Sequence, residues 1–170
     1  MAQLSDALEV LAAKRGGKRL WLSPSFGEAA KLYDKLQRLP VDGLKLDLTY
    51  GRATADAIES SGSRLAIALG IVDARNTRLE SPAQVARQAE RLFKKVRGPV
   101  LALSASNGLE YLPRTRAAEK CAVLARARDL INGTGKRKAK ASGKKAAKRI
   151  VAKKRPLSRS KVVRGRKGRK

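Results

Sequence analysis

Four short apolar segments, each followed by a helix-type pattern, place the strongest constraint on the fold of this chain. The clearest is residues 64–72, which are apolar nearly throughout, as expected of a parallel strand buried on both faces. Successive strand-then-helix units require a parallel sheet with right-handed crossovers. The sequence therefore predicts an α/β fold of four βα units, half of a (β/α)8 TIM-type barrel. A small open doubly wound sheet is the alternative, although no Gly-x-Gly-x-x-Gly follows the first strand.

Apolar periodicity and turn residues set the bounds of the predicted elements. Strands are predicted at residues 19–23, 43–48, 64–72 and 99–103. Helices are predicted at residues 4–14, from Ser25 to Pro40, at about 53–60, from Ser81 onward and at about 115–131. Ser25–Glu28 and Ser81–Gln84 both read as capping boxes, the second with proline at the first helical position. The side chains expected to face the core are Ala7, Leu8 and Leu11; Ala29, Leu32, Tyr33 and Leu36; Val85, Ala89, Leu92, Phe93 and Val96; and Cys121, Leu124 and Ala125.

Charge divides the chain into two parts. The net charge is +26, from 40 Lys or Arg and 14 Asp or Glu. Residues 132–170 contain 18 of those basic residues and no acid, so the remaining 22 basic and 14 acidic residues give residues 1–131 a net charge of +8. Self-repulsion and the lack of apolar groups predict disorder for such a segment. We therefore expect a folded domain at residues 1–133 and a disordered Lys/Arg/Ala-rich tail at residues 134–170.

The basic tail is predicted to bind DNA or RNA. Lys and Arg displace counterions from phosphate, so binding would be salt-sensitive and mostly independent of sequence. No aromatic residue follows Tyr111, which argues against base stacking by the tail. The alternative is a solubilising segment without a partner. The candidate polyanion-binding residues are Lys136, Arg137, Lys138, Lys140, Lys144, Lys145, Lys148, Arg149, Lys153, Lys154, Arg155, Arg164, Arg166, Lys167, Arg169 and Lys170.

Residue usage excludes several classes of protein. The chain contains one cysteine, Cys121, and no histidine, so it cannot form an intramolecular disulfide and lacks the side chains for histidine-based or zinc-based catalysis. No apolar run approaches the ~20 residues that span a bilayer. The first residues do not combine a basic region with a long apolar stretch, so no signal peptide is expected. These features predict a cytoplasmic protein, with nucleic-acid association through the tail and no membrane partner.

Polar side chains follow each predicted strand. In a parallel α/β fold the carboxyl ends of the strands share one edge, so these side chains would form a common rim. Asp47 and Asp73 stand out, because an unpaired carboxylate after an apolar strand is costly. Arg75 is the obvious local partner, and a buried Asp–Arg pair that only holds the loop is an equal alternative to a binding site. The candidate rim residues are Ser23, Asp47, Asp73, Arg75, Asn76, Ser106 and Asn107.

Three segments of the chain resemble the cobalamin-independent methionine synthase family. They are residues 39–48 (LPVDGLKLDL), 69–77 (LGIVDARNT) and 103–114 (LSASNGLEYLPR). Their order and spacing also match, and the resemblance covers about residues 5–131. It implies that this chain corresponds to the second half of one (β/α)8 barrel. It also implies a family reaction, methyl transfer from a 5-methyltetrahydrofolate polyglutamate to homocysteine held on zinc.

The departures from the family pattern affect the zinc site. The resemblance places an acidic zinc ligand at Asp47, a cysteine ligand at Asn107 and a proton-donating histidine at Arg75. The His-x-Cys segment that supplies the other ligands is missing. Zinc sites rely on histidine and cysteine, so we expect no bound metal, no cofactor and no catalytic residue in this chain alone. The pattern is closer to the family's other barrel, which lacks zinc and helps to bind the folate.

Three hypotheses follow. The chain is an incomplete methionine synthase-like domain that still binds an anionic pterin-glutamate, or a nucleic-acid-binding protein anchored by a folded domain, or part of an active methyltransferase completed by a partner. A half barrel exposes two sheet edges, which proteins normally cover. A homodimer that closes an eight-stranded ring would cover them, and so would a separately encoded first half. The remaining possibility is a poorly stable fragment.

Overall fold

A computed structural model describes residues 1–25 and 27–133 of the chain. The predicted tail, with all of its candidate polyanion-binding residues, lies outside the described part. Within that part, no helix is both long enough and apolar enough to cross a membrane. The helices are α1 (Ala2–Lys14), α2 (Tyr33–Leu36, preceded by a 3-10 turn at Ala30–Leu32), α3 (Arg52–Ser61), α4 (Pro82–Phe93) and α5 (Arg114–Ile131). The strands are β1 (Trp21–Leu22), β2 (Gly43–Asp47), β3 (Ala66–Val72) and β4 (Leu101–Ala105).

The four strands form one parallel sheet in the order β1-β2-β3-β4. The central pair is aligned from Gly43 opposite Ala66 to Asp47 opposite Gly70. Every residue of β3 is buried, as its apolar sequence predicted. The predicted alternation of four parallel strands with helices is confirmed. Several bounds differ by one or two residues: β1 has only two paired residues, β2 ends at Asp47, β3 begins at Ala66, and β4 runs from Leu101 to Ala105.

The two faces of the sheet differ in side-chain size. Because side chains alternate between faces along a strand, Leu44 and Leu46 share one face with their neighbours on β3, Ile67 and Leu69. All four are fully buried in the core cluster, which also contains Tyr33, Ile58 and Leu92 from the helices. The opposite face of β2 and β3 carries mostly glycine and alanine around Lys45, with the ring of Trp21 from β1 lying over Gly43. The helices therefore cover the bulky face, and the small-residue face is the one that a barrel would turn inward.

Both edges of the described sheet are open. β1 pairs only with β2, and β4 pairs only with β3, so neither end strand has a second neighbour among the described residues. Leu101 of β4 is 45% exposed. An apolar groove of about 590 Å³ runs beside this strand, between Leu103 and the side chains of Cys121 and Leu124 on α5. The edge that an eight-stranded ring would continue from is thus apolar as well as unpaired.

That groove corrects the predicted orientation of α5. Cys121 and Ala125 were expected to face the core, but both are exposed and line the groove with the half-buried Leu124. The buried residues of this helix are Lys120, Val123 and Ala127. The reason is that α5 packs mainly against α4, so the helix turns its other apolar stripe toward the open edge.

Glu28 stabilises a different helix from the one predicted. The segment after Ser25 begins with a 3-10 turn whose cap residue is Ala29, and Ser25 forms no cap there. Glu28 Oε2 instead accepts a hydrogen bond from the backbone N–H of Ala53 at 3.2 Å, and its Oε1 accepts one from the Thr54 hydroxyl. Both donors lie in the first turn of α3, where a carboxylate opposes the positive end of the helix dipole. The predicted capping box at Ser25–Glu28 is therefore wrong.

Smaller corrections concern caps and helix faces. Ser81 is the N-cap of α4 and Pro82 its first residue, as predicted, but the Ser81 side chain makes no cap hydrogen bond, so this segment is not a capping box. In α1 only Leu8 is buried, and Leu11 is 54% exposed because this helix precedes the sheet edge. Leu32 is 43% exposed, since it lies in the 3-10 turn rather than on a continuous helical stripe.

Candidate binding site at the strand ends

Asp47 is the most buried charged group at the carboxyl ends of the strands. It is the last residue of β2, and its side chain is 1% exposed. Its Oδ2 accepts a hydrogen bond from Arg75 Nη2 at 2.7 Å. Its Oδ1 accepts hydrogen bonds from the backbone N–H of Thr49 at 3.0 Å and from the Thr49 hydroxyl at 2.8 Å. The carboxylate is therefore desolvated but fully partnered, which removes most of the cost of burying it.

Asp73 organises the neighbouring strand end. It follows β3 directly, and its Oδ1 accepts the backbone N–H of Arg75 at 2.9 Å. Its Oδ2 accepts a hydrogen bond from Asn76 Nδ2 at 2.5 Å and another from the hydroxyl of Tyr50 at 3.1 Å. That hydrogen bond, together with the charge of Asp73, raises the pKa of Tyr50, so the phenol remains a donor at neutral pH. The two strand ends are thus joined through Tyr50 as well as through Arg75.

Arg75 lies between the two carboxylates. Its guanidinium carbon is 3.4 Å from the ring centroid of Tyr50, a cation–π contact. Its Nε is 3.8 Å from Asp73 Oδ1, in addition to the closer ion pair with Asp47. The Arg75 side chain is 27% exposed, so one surface of the network faces solvent. The predicted Asp–Arg pair is therefore present and lies beside an aromatic ring.

Ser106 and Asn107 extend the rim toward β4. The Ser106 hydroxyl donates to Asn107 Oδ1 at 2.9 Å and accepts the backbone N–H of Ala74 at 3.1 Å. Lys45 reaches along the small-residue face and donates to the Ser106 carbonyl at 3.3 Å. Across the described residues, Asn107 Nδ2 has no hydrogen-bond partner. This amide and the spare donors of Lys45 are available to a ligand at the rim.

The structure brings six of the seven predicted rim residues into one connected region. Asp47, Asp73, Arg75 and Asn76 share hydrogen bonds, and Ser106 with Asn107 joins them through Ala74. Ser23 is exposed after β1 and makes no hydrogen bond to this network in the described part of the chain. Its place at the rim remains a prediction.

Sequence reasoning missed several side chains that hold the rim. Tyr50 is one, and its only sequence signal is that it follows the Asp47–Thr49 strand end. Lys120 is another: it is fully buried in α5, and its Nζ donates to both oxygens of Glu80 at 3.1 Å. Glu80 Oε1 in turn accepts the backbone N–H of Asp73 at 2.9 Å. A lone lysine on the inner face of a helix was the available signal, because a buried lysine requires a charged partner.

The rim does not fit the zinc ion that the family resemblance implies. Of the two ligand positions that the resemblance places there, only Asp47 keeps the implied side chain, and its oxygens already accept hydrogen bonds from Thr49 and Arg75. The chain has no histidine, and Cys121 lies on the exposed face of α5 beside the apolar groove. Among the residues described, no three histidine, cysteine or acidic side chains cluster as metal ligands. The donor chemistry of this rim suits hydrogen bonding to an organic ligand instead.

Four parallel βα units with a polar network at the strand ends define a half-barrel α/β domain. A solved B12-independent methionine synthase from a Shewanella species, in complex with selenomethionine, has the same fold over 78% of this chain and 45% of its own length, with a TM-score of 0.58. At 16% sequence identity this likeness concerns the fold.

Sequence comparison then identifies the family. Residues 1–97 match the model of the cobalamin-independent synthase N-terminal domain, and the chain belongs to that family. It is 35% identical over 98 residues to a 5-methyltetrahydropteroyltriglutamate–homocysteine methyltransferase of Herpetosiphon aurantiacus. The matched part is 56% of this chain but only 13% of that enzyme, so the chain spans a small part of its relative. The family resemblance of the sequence is confirmed.

Replacing Arg75 with alanine should destabilise the fold by about 1–3 kcal/mol, because it removes a charged partner of the buried Asp47. The matched control is Arg91→Ala. Arg91 pairs with Glu59 at 2.7 Å but is 60% exposed, so its loss should cost no more than about 1 kcal/mol. Urea unfolding of the three proteins measures both values. Equal stability of the two variants would show that the Asp47–Arg75 pair does not hold the rim.

Proposed function

We propose that this chain binds a folate-type ligand at its strand-end rim and does not transfer a methyl group by itself. Membership in the N-terminal-domain family and the relative's tetrahydropteroyl substrate support the ligand class. The absence of histidine from the sequence and the position of its one cysteine support the second part. The observation that carries the proposal is the prearranged Asp47–Arg75–Asp73 network with the ring of Tyr50 against it.

The charge of the rim favours the heterocycle of such a ligand over its glutamate tail. Asp47 and Asp73 balance Arg75 and Lys45, so the region has no excess positive charge for carboxylates. A pteridine ring presents N–H donors and carbonyl acceptors along one edge. Carboxylate oxygens of Asp73 and the free amide of Asn107 complement those groups, and the ring of Tyr50, which is 57% exposed, offers a stacking surface.

Titration calorimetry with 5-methyltetrahydropteroyltriglutamate tests this site. We expect the full chain to bind, and Asp73→Asn to weaken binding about tenfold, since a charge-assisted hydrogen bond contributes about 1.5 kcal/mol or more. Glu59→Gln, which removes an acid on α3 outside the rim, is the control and should bind like the wild type. Unchanged affinity of Asp73→Asn would refute the rim site. Methylation of homocysteine by the purified chain would refute the inactive assignment.

We further propose that two copies of the chain close into a ring through their open edges. Four strands are half of the eight in a closed barrel. The β4 edge is flanked by apolar side chains that a neighbouring βα unit would cover, including Leu101 and Leu124. Residues 134–170 contain few large apolar groups to cover this groove. A second copy offers a β1 edge to each β4 edge, and a separately encoded first half is the alternative partner.

Size-exclusion chromatography with light scattering measures this assembly. We expect the full chain to be a dimer and Leu124→Lys to be a monomer, because the charge would lie in the covered groove. Leu32→Lys is the control, since Leu32 is exposed in the 3-10 turn and outside the groove. A monomeric wild type, or a Leu124→Lys variant that stays dimeric, would rule out closure through β4.

Nucleic-acid binding through the tail is the second candidate function. One observation favours it: residues 132–170 carry 18 basic side chains without an acid. Electrostatic association of this kind falls steeply with salt concentration.

Truncation after Gly133 separates the two candidate functions. Removal of the tail should abolish retention of DNA or RNA in a gel-shift assay and leave folate binding unchanged. Circular dichroism of the truncated chain checks that its helices and strands remain. If the truncated chain still retains nucleic acid at 150 mM salt, the folded domain rather than the tail is responsible.

A further inference from the structure

A second pocket lies at the opposite end of the sheet from the rim, where β3 and β4 begin. Its volume is about 680 Å³, within the range of small-molecule sites. Five cationic side chains line it, with one carboxylate, Asp34. The five are Arg38, Arg64, Lys94, Lys95 and Arg97. We propose that this pocket binds a small anion with several phosphate groups, a ligand independent of the folate site.

The floor of the pocket is held in place by the backbone. The loop before β3 and the loop before β4 are joined by a hydrogen bond from the N–H of Ser63 to the Lys95 carbonyl at 3.2 Å, and by one from the Arg97 N–H to the Ser63 carbonyl at 2.7 Å. Gln37 Oε1 accepts the Ser63 hydroxyl at 3.0 Å and the N–H of Arg64 at 3.3 Å. The cationic side chains therefore project from a fixed frame rather than from a free loop.

Gln37 also leaves a donor unused. Its Nε2 is buried at this pocket and makes no hydrogen bond within the described residues. A buried amide without a partner costs about 1–3 kcal/mol. If the Gln37 side chain turned toward the pocket, a phosphate oxygen could accept a hydrogen bond from this N–H group and remove that cost. The orphaned amide is thus an observation, separate from the charges, that points to an acceptor-rich ligand.

The negative ends of nearby helix dipoles neutralise only part of the positive charge at this pocket. Cations are favoured at helix C-termini, and α3 and α4 both end here. Each helix end contributes roughly half a negative charge. With Asp34, the negative side totals about two charges against five cations, which leaves an excess of about three. None of the five cations has an ion-pair partner in the part of the chain that the structure describes.

The donor types favour phosphate over a single carboxylate. Arginine guanidinium groups bind phosphate oxygens through paired N–H donors, and three of the five cations are arginines. The hydroxyl of Ser61 and the amide of Gln37 add neutral donors. An anion with two or three linked phosphates would use both the charge excess and the volume of the pocket.

Amide NMR of the full chain titrated with tripolyphosphate at 150 mM salt tests the proposal. The expected result is saturable shifts of the Gln37 side-chain amide and the Ser63 backbone amide. The variant Arg64→Gln/Arg97→Gln should weaken this binding at least about tenfold, because two charged donors are lost. Arg87→Gln/Arg126→Gln removes the same charge from exposed positions outside the pocket and should change affinity less than about twofold. Equal weakening by both pairs would overturn the site.

Two further measurements keep the outcome decisive. If Arg64→Gln/Arg97→Gln fails to fold, Lys94→Gln/Lys95→Gln at the end of α4 takes its place, with the same expected loss. Tetraglutamate and a short single-stranded oligonucleotide are titrated in parallel. Shifts at Gln37 that saturate at lower concentration with either of these than with tripolyphosphate would overturn the assignment to a small phosphate anion. Shifts confined to residues 134–170 would also overturn it.

Discussion

The burial of one carboxylate determines the arrangement of the whole strand-end rim. Asp47 must lose its water because β2 lies between two other strands, and a desolvated carboxylate requires partners. Thr49 supplies two hydrogen bonds from the loop that follows β2, and Arg75 supplies a positive charge from the loop that follows β3. Arg75 then fixes Tyr50 and Asp73 in turn. The residues of this network come from the adjacent loops that follow β2 and β3, and the same residues form the candidate binding site.

The family of this chain and the residues at its strand ends are separate observations. It belongs to a family of synthase domains, yet it spans only a small part of the curated relative that it matches. At its rim the carboxylate of Asp47 is paired with the guanidinium of Arg75. Positive charge lies elsewhere, in the pocket at the other end of the sheet. The two ends of the sheet therefore differ in charge: the rim is close to neutral, and the pocket at the other end is positive.

Much of the fold was predictable because periodicity is a local property. The apolar run of β3 and the repeated strand–helix order indicated the parallel sheet, and Asp47, Asp73 and Arg75 were identified from strand ends. Errors arose where a distant partner decided the outcome. Glu28 caps α3, which begins more than twenty residues later, and no local pattern records that. The predicted core face of α5 was wrong because the helix packs mainly against α4. Its other apolar stripe therefore lies at the open groove.

The position of Lys120 connects two regions that otherwise share no residue. One face of α5 lines the open groove. On the other face, Lys120 forms an ion pair with Glu80, which accepts a hydrogen bond from the backbone N–H of Asp73. A neighbour that shifted this helix would also move the loop carrying Asp73 and Arg75. By thermodynamic reciprocity, a molecule seated at the rim would then alter how readily the helix accepts that neighbour. Lys120 would thus couple the proposed assembly at the groove to the proposed ligand binding at the rim.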